Sequence, residues 1–253
     1  TSDCGTVRLW LADCLDVLPM LEAQSVDVIL TDLPYGTTAC SWDTVIPFAP
    51  MWAAVKRVLK PRGVFVTTAS QPFTSALVMS NIEWFKQEVI WDKVRVTNIL
   101  NANRMVLIRH ENILIFSDGT GTFHPQKNGK GSHPFGQVRR SESITAGNIT
   151  ETDYGIGYPQ SILRYMRPNN LTEGYLHPTQ KPVALYAYLV RTYTNEGDTV
   201  LDMCAGSGTT GVACVQLGRR FLGIEIEERY FEIAKRRIMD AQMQLRLPIG
   251  DVP

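Results

Sequence analysis

A glycine-rich stretch, Gly206–Gly211, separates a β-rich run at Thr199–Met203 from a helical pattern that begins at Thr209. It follows the pattern Gly-x-Gly-x-x-Gly, and acidic Glu225 ends the next β-rich run. Glycines in such a turn let a nucleotide approach the backbone, and an acid on the next strand binds ribose hydroxyls. A tight strand-to-helix turn without a ligand is the alternative. The stretch therefore predicts a parallel α/β sheet with an adenosine-like ligand at its edge.

The rest of the chain repeats this alternation of β-rich runs and helical patterns. The predicted strands are Val7–Leu11, Val26–Thr31, Val64–Thr68, Phe85–Trp91, Met105–Phe116, Thr199–Met203 and Arg220–Ile226. The predicted helices are Leu15–Glu22, Phe48–Lys60, Pro72–Asn81, Pro182–Thr194, Thr209–Leu217 and Glu227–Leu245. Strands that alternate with helices indicate an α/β fold, here a seven-stranded, mainly parallel, doubly wound sheet.

Composition narrows the class of protein. The 253 residues suffice for one large α/β domain with an inserted or appended piece. The chain has 25 basic residues (lysine and arginine) and 25 acidic residues (aspartate and glutamate). This balance is not typical of a tail-like nucleic-acid binder, but it does not exclude binding to DNA. The cysteines form no Cys-x-x-Cys pair, which favours a reduced cytoplasmic protein without a metal site; they are Cys4, Cys14, Cys40, Cys204 and Cys214. No apolar run approaches the ~20 residues of a membrane span.

The turn Asp32-Leu33-Pro34-Tyr35 directly follows the buried run Val26–Thr31. The end of such a strand is where an open α/β sheet places its ligand site. The Asp32 carboxylate and the Leu33 carbonyl can accept both protons of an aromatic amine, while Pro34 holds that carbonyl in place. Tyr35 can stack on the ring. These contacts free the amine lone pair for attack on a sulfonium methyl, which needs mainly positioning. A strand-ending turn with a capping aspartate is the alternative.

The glycine pattern also fits a nicotinamide cofactor. A dinucleotide fold, however, needs a second mononucleotide half, which usually runs onward from this motif. Only 28 residues follow Glu225. Upstream strands must therefore complete the sheet, and we find neither a nicotinamide half nor a proton-relay residue in the sequence.

Together these residues resemble the S-adenosylmethionine-dependent amino-methyltransferases of DNA, which modify adenine N6 or cytosine N4. The resemblance covers roughly residues 7 to 238, and the motif order is that of the permuted β group. Asp32–Tyr35 matches the catalytic motif Asp-Pro-Pro-Tyr, with Leu33 where the family usually has proline. Asp202–Thr210 matches the cofactor motif Asp-Pro-Phe-x-Gly-Ser-Gly-Thr-Thr, with Cys204 in place of the aromatic residue.

The resemblance implies roles for individual residues. Ala12–Leu15 resembles the stretch that contacts the cofactor adenine, with Asp13 accepting from its amine, and Glu225 takes the ribose hydroxyls. The segment His177–Pro182 resembles the one that wraps the methionine end. The catalytic residues so implied are Asp32, Leu33, Pro34 and Tyr35. The residues implied to bind S-adenosyl-L-methionine are Asp13, Cys14, Asp32, His177, Thr179, Lys181, Asp202, Cys204, Ala205, Gly206, Ser207, Gly208, Thr209, Thr210 and Glu225.

The resemblance also divides the chain into parts. Residues 1–116 are the catalytic half of a circularly permuted methyltransferase domain, residues 117–176 an inserted target-recognition region, and residues 177–253 the cofactor-binding half. The middle part holds 9 of the 19 glycines and has no acidic residue from Gly119 to Ser141. A structureless loop of this length is unusual. We therefore interpret it as a small module or as a segment that orders on a partner.

A target base inside double-stranded DNA must be flipped out before it can react. Basic side chains and asparagines serve such a protein as phosphate contacts and as readers of base edges. The expected DNA-binding residues are Lys93, Arg95, Asn98, Arg104, Lys127, Lys130, Arg139 and Arg140. A solvated surface loop is the alternative for those beyond position 120.

An aspartate at the first catalytic position is more typical of adenine-N6 enzymes, and this favours adenine over cytosine N4. Two further alternatives are methylation of an RNA or protein amide nitrogen and a catalytically silent module that binds cofactor or DNA. We expect a monomer or homodimer that has no membrane or metal partner. We expect it in the cytoplasm of a bacterial or phage-infected cell, associated with the nucleoid, in a restriction-modification or phage context.

Overall fold

The computed structural model describes residues 2–3, 5–38, 40, 43–127, 157–168, 176 and 179–246. The strands are β1 (Ser2–Asp3), β2 (Val7–Leu11), β3 (Val26–Asp32), β4 (Leu59–Ala69), β5 (Phe85–Thr97), β6 (Ile108–Ser117), β7 (Ile162–Arg164), β8 (Thr199–Asp202) and β9 (Arg220–Glu225). The helices are α1 (Cys14–Val17), α2 (Phe48–Val58), α3 (Phe73–Ser80), α4 (Val183–Tyr193), α5 (Thr209–Gln216) and α6 (Glu228–Arg246). Two short 3-10 helices cover Leu18–Met20 and Ile99–Asn101.

The strands form one sheet in the order β1-β2-β9-β8-β3-β4-β6-β5-β7. Pairing is parallel from β2 through β9, β8 and β3 to β4, and again between β5 and β7. It is antiparallel between β1 and β2 and around β6. The mainly parallel α/β sheet predicted from the sequence is confirmed. It is wider than the predicted seven strands by β1 and β7, which are too short to show a periodic pattern.

Helices cover both faces of the sheet. Neighbouring residues of a strand point to opposite faces, so an apolar strand such as β3 needs helices on both sides. Val28 packs in the cluster that contains Leu185 of α4 and Phe231 of α6. The next residue, Ile29, packs in the cluster that contains Val17 of α1 and Met51 of α2. Each side of β3 is therefore buried, and its carboxyl end is the part of the strand that is free to build a site.

The carboxyl edge is the edge of the sheet at which β2, β3, β8 and β9 end. Because these strands are parallel, Asp32, Asp202 and Glu225 meet there. Strand β6 runs the opposite way: Asp32 is level with Thr68 of β4, and Thr68 is level with Ile113. The residues before Ile113 in β6 therefore reach the same edge.

Part of the middle segment belongs to the main sheet. Strand β7 pairs with β5, and the His124 amide donates to the Thr192 carbonyl at the end of α4 at 2.7 Å. Most of residues 117–176, including Lys130, Arg139 and Arg140, lies outside the described residues, as does His177. The proposed division at positions 116 and 176, and the circular permutation, stay predictions.

In the described part of the chain, none of the helices is both long and apolar enough to cross a membrane. The structure also brings no three histidine, cysteine or acidic side chains together as a metal site within those ranges. The expectation of a protein without metal stays a prediction.

Candidate active site

A cavity of about 360 Å³ opens at the carboxyl edge. It collects residues that the sequence places far apart: Asp13, Cys14, Asp32, Leu33, Pro34, Tyr35, Thr179, Lys181, Asp202, Cys204, Ala205, Gly206, Ser207, Thr209, Thr210 and Glu225. Gly208, which was also predicted to bind cofactor, does not line it. A Cβ at Gly208 would lie 2.9 Å from the Ala234 backbone, so this glycine lets α6 approach the loop.

Asp32 ends β3 with its carboxylate held on both oxygens. The Tyr35 hydroxyl donates to Oδ1 at 2.8 Å, and the Thr68 hydroxyl donates to the same oxygen. The Lys181 ammonium lies 2.8 Å from Oδ2. These three donors come from the turn, from β4 and from the segment before α4. The carboxylate therefore faces the cavity in one orientation, which is what a hydrogen-bond acceptor for a substrate requires.

Lys181 links Asp32 to a second carboxylate, Glu111. Its ammonium lies 3.2 Å from Oε2 of Glu111, while Lys93 lies 3.2 Å from Oε1. Burial alone would lower the pKa of Lys181, but the carboxylates of Asp32 and Glu111 outweigh it and raise that pKa. Burial would likewise raise the pKa of Glu111, but Lys181 and Lys93 outweigh it and lower that pKa. The Lys181 ammonium and the Glu111 carboxylate therefore each stabilise the charged form of the other.

Lys93 was predicted to bind DNA, and its position in the structure does not suit that role. Its side chain is only 4% exposed and is paired with Glu111. Burial lowers its pKa, although Glu111 opposes that shift. Lys93 therefore belongs to the buried charge network, and its ammonium is not presented to a phosphate.

The turn after Asp32 has Leu33 where the family usually has proline, and packing and hydrogen bonds hold it in place. Leu33 is 3% exposed and packs in the core under α2. The Asp43 carboxylate accepts from the amides of Gly36 at 2.9 Å, Thr37 at 2.9 Å and Thr38 at 2.6 Å. These bonds outweigh the effect of burial and lower the pKa of Asp43. The carboxylate thus holds the backbone that directly follows the turn.

Tyr35 presents an aromatic ring beside Asp32. One side of the ring stacks on Phe73, with centroids 5.2 Å apart and planes 29° apart. Burial, together with the nearby charge of Asp32, raises the Tyr35 pKa well above its ordinary value. The phenol therefore stays protonated and acts as a donor to Asp32.

Asp202 ties three elements together beneath the glycine loop. Its carboxylate accepts from the Thr31 hydroxyl at 2.8 Å, from the Thr210 hydroxyl and from the Cys204 amide at 3.1 Å. Burial raises its pKa to about 6, against the opposing effect of these bonds. The residue fixes β8 against β3 and α5, and so it shapes the wall of the cavity.

Glu225 ends β9 and reaches across to the glycine loop. Its carboxylate accepts from the Gly206 amide at 2.7 Å and from the Glu227 amide at 2.8 Å. Burial raises its pKa in spite of these bonds. Asp13 caps α1 by accepting from the Leu15 amide at 2.8 Å. Both carboxylates line the cavity and keep further acceptor capacity for a ligand.

The other predicted DNA-binding residues that the structure describes lie on two surfaces. Arg95, Asn98 and Arg104 are exposed around the connection between β5 and β6. Lys127 is exposed, with its ammonium 4.7 Å from the ring centroid of Tyr158.

Sequence reasoning missed several residues of the site: Asp43, Glu111 and Tyr186, which line the cavity, and Thr68, which donates to Asp32. Glu111 carried a signal, because it is a charged residue directly before the apolar run of β6 and beside His110. His110 is exposed and does not line the cavity, whereas Glu111 does. Asp43, Thr68 and Tyr186 carried no such signal, because nothing local distinguishes them.

A family model described as DNA methylase, for the N6 and N4 methyltransferases, matches residues 26–236. This chain belongs to that family of DNA methylases. The methylase is 30% identical over 246 residues to the Type II methyltransferase M.HpaI of Haemophilus parainfluenzae, covering 91% of this chain and 74% of the relative. It is 29% identical over 248 residues to the DNA adenine methyltransferase YhdJ of Escherichia coli (strain K12), covering 89% and 80%.

Solved structures agree with the fold of the methylase. The M1.HpyAVI–SAM complex superposes with a TM-score of 0.62 at 25% identity, covering 91% of this chain and 99% of that chain. The cytosine-N4-specific PvuII DNA methyltransferase superposes with a TM-score of 0.66 at 17% identity, covering 94% and 92%. The second likeness shows the fold alone. The family includes enzymes for both bases, so membership does not decide between adenine and cytosine.

Proposed function

We propose that this methylase transfers a methyl group from S-adenosyl-L-methionine to N6 of a flipped adenine at specific sites in double-stranded DNA. The observation that carries the proposal is the Asp32 carboxylate, held by Lys181, Thr68 and Tyr35 at the wall of a cavity whose other wall is the glycine loop. A base and a methyl donor bound on these two walls face each other at the carboxyl edge.

The residues present fit S-adenosylmethionine. Glu225 lies at the end of the strand after the glycine loop, where a carboxylate binds ribose hydroxyls. Asp13 offers a carboxylate for the adenine amine, and Leu15, Ile226 and Tyr230 add apolar lining. When bound, the cofactor supplies an electrophilic methyl group on a sulfonium centre. The relative with a solved complex, M1.HpyAVI, was crystallised with the same cofactor.

The residues of the turn prepare the base amine for attack. Its lone pair is delocalised into the ring, so the amine is a weak nucleophile. Asp32 and the Leu33 carbonyl accept the two amine protons and draw the nitrogen toward tetrahedral geometry. Tyr35, whose ring stacks on Phe73, offers an aromatic surface to the base. Because these groups are in place before the base arrives, little reorganisation is needed at the moment of reaction.

Adenine is favoured over cytosine by two observations. Asp32 occupies the first catalytic position, where aspartate is more typical of adenine-N6 enzymes, and the YhdJ relative is named an adenine methyltransferase. Expression in a host without DNA methylation, followed by sequencing for modified bases, tests the base and the recognition sequence together. N6-methyladenine at one recurring sequence is the expected result; N4-methylcytosine would overturn the choice of adenine, and unmodified DNA would overturn the activity.

The other expectations from the sequence remain part of the proposal. They are the monomeric or homodimeric state, the cytoplasmic and nucleoid-associated location, and a context of restriction-modification or phage. The bacterial Type II relatives support a restriction-modification context.

A further inference from the structure

The connection between β5 and β6 carries an apolar surface. This tip, residues 98–107, exposes Leu100 at 95% and Val106 at 92%, together with Ile99 and Met105. The tip nevertheless has order of its own: a 3-10 turn spans Ile99–Asn101, and the Arg104 amide donates to the Asn101 carbonyl at 2.8 Å. Large apolar side chains clustered on a surface mark an interaction site.

The tip projects past the carboxyl edge, on the side where Asp32 lies. Asp32 is level with Ile113 of β6 through Thr68, and β6 continues outward to Ile108, where it pairs with Thr97. Five residues of strand correspond to roughly 17 Å. The apolar side chains therefore lie beyond the carboxyl edge, where the active-site cavity opens.

Ion pairs brace the base of the tip. Asp92 accepts from Arg109 at 2.7 and 2.8 Å and from Arg164 at 3.2 Å, which joins β5, β6 and β7. The register of β5 and β6 shifts between Asp92 and Thr97, and Val94 and Asn98 have positive φ angles of 67° and 64°. Such an irregularity bends the strands and changes the direction of the hairpin. The ion pairs thus tie the base of the tip to the neighbouring strands.

The charge around the tip favours DNA as the partner. No acidic residue lies between Asp92 and Glu111. Arg95 and Arg104 are exposed beside the apolar side chains. A second copy of this chain would bring two positively charged tips together, which like-charge repulsion opposes. Apolar side chains flanked by basic ones are what proteins insert between stacked base pairs.

We propose that the tip is a wedge that enters the base stack of the duplex next to the target base and fills the space this base leaves when it is flipped. Leu100 and Val106 are the inserting side chains, and Arg95 and Arg104 hold the adjacent phosphates. This inference rests on the proposed function, since the space that the wedge fills exists only when a base is flipped out of the duplex.

The test compares the double variant Leu100→Ser/Val106→Ser with the matched control Met20→Ser/Met79→Ser. The control residues are exposed at 70% and 71% but lie away from the tip. Methyl transfer is measured on two duplexes that carry the recognition sequence found by sequencing. One is fully paired, and the other has an abasic site opposite the target, where unpairing is already complete. Calorimetry with S-adenosylmethionine shows whether each variant keeps its cofactor site.

We expect the tip variant to lose roughly 30-fold in kcat/KM on the paired duplex and less than about threefold on the abasic one, since insertion offsets the cost of unstacking. The control should match the wild type on both. Equal losses on the two duplexes, or no loss, would overturn the wedge, as would a wild-type dimer in sedimentation that the tip variant cannot form. A wild-type protein that binds cofactor but methylates no DNA would overturn the proposed function, and the wedge with it.

Discussion

The Lys181 ammonium lies 2.8 Å from Oδ2 of Asp32. The cation neutralises the carboxylate, and its second contact with Glu111 keeps the cation in place. Burying a charge is costly unless it is paired, and here two carboxylates share buried Lys181. The position of the proposed catalytic carboxylate therefore depends on residues from β6 and from the segment before α4.

Replacing Asp32 by alanine removes the proposed acceptor of the amine protons. We expect methyl transfer to fall by at least ~1000-fold, the scale of losing a preorganised electrostatic contact, while cofactor binding persists. Tritium transfer from labelled S-adenosylmethionine to DNA measures the first quantity, and calorimetry the second. Asp16→Ala, at an exposed position in α1, is the control. Unchanged turnover in Asp32→Ala would remove this residue from catalysis.

Replacing Glu225 by alanine removes the proposed ribose contact and frees the Gly206 amide. Hydrogen bonds to a charged group contribute about 1.5–3 kcal/mol each, so we expect cofactor affinity to fall by roughly 10- to 100-fold. Glu225→Gln keeps one acceptor oxygen, so its cofactor affinity should lie between that of the wild type and that of Glu225→Ala. Calorimetry on both variants and on Glu228→Ala, an exposed neighbour, tests this. Equal affinity in Glu225→Ala would place the ribose elsewhere.

Glu111→Gln tests the positioning of Asp32 through Lys181. The shape of the side chain is kept and its charge is lost, so we expect kcat to fall by roughly tenfold with unchanged cofactor affinity, about 1.4 kcal/mol in the barrier. Glu88→Gln, on neighbouring β5 and bonded to Asn112, is the matched control. A loss of thermal stability with normal kcat would show that Glu111 is only structural.

The pH profile of the same variant provides a second readout. The pKa of Lys181 is raised, because Asp32 and Glu111 outweigh the effect of burial. Its charge, and the stability it contributes, are fully present below the ordinary lysine pKa of ~10.4 and are lost as pH rises through the higher folded value. Without the Glu111 charge, the alkaline loss of activity should begin at lower pH. A profile identical to that of the wild type would contradict this.

Asp43→Ala leaves the amides of Gly36, Thr37 and Thr38 without their common acceptor. We expect a loss of about 1–3 kcal/mol in the free energy of unfolding and a higher KM for DNA, because the turn beside Asp32 loosens. Denaturant unfolding and steady-state kinetics measure these effects. Asp118→Ala, at an exposed position after β6, should change neither. A stable variant with a normal KM would show that Leu33 packing alone holds the turn.

Neutralising Lys127, Lys130, Arg139 and Arg140 together tests the predicted phosphate contacts. Each lost contact should reduce the slope of log affinity against log salt by about 0.9. Binding to duplex DNA at several salt concentrations gives this slope, and Lys86→Gln/Lys235→Gln is a control at other lysines. An unaltered slope would move the DNA-binding surface to the tip or elsewhere.

Local patterns in the amino-acid sequence were enough to predict the sheet and the two motifs at its edge. The buried runs, their turns and the glycine loop are local patterns, so all seven predicted strands are present. Helix ends were less accurate: α2 stops at Val58 and the chain enters β4 at Leu59, although Pro61 and Gly63 indicated a later boundary. The strands β1 and β7 had no pattern, because two or three residues show no period.

The pairing of the charged side chains at the carboxyl edge could not be predicted and is seen only in the folded protein. Lys181 was predicted from its motif as a cofactor residue, and Lys93 as a DNA contact, but both lie in one buried network with Asp32 and Glu111. Sequence patterns report which side chains lie on one face of a strand or helix. Which carboxylate contacts which lysine depends on the order and register of the strands. Asp32 of β3 and Glu111 of β6 lie at one site because β4 pairs with both strands.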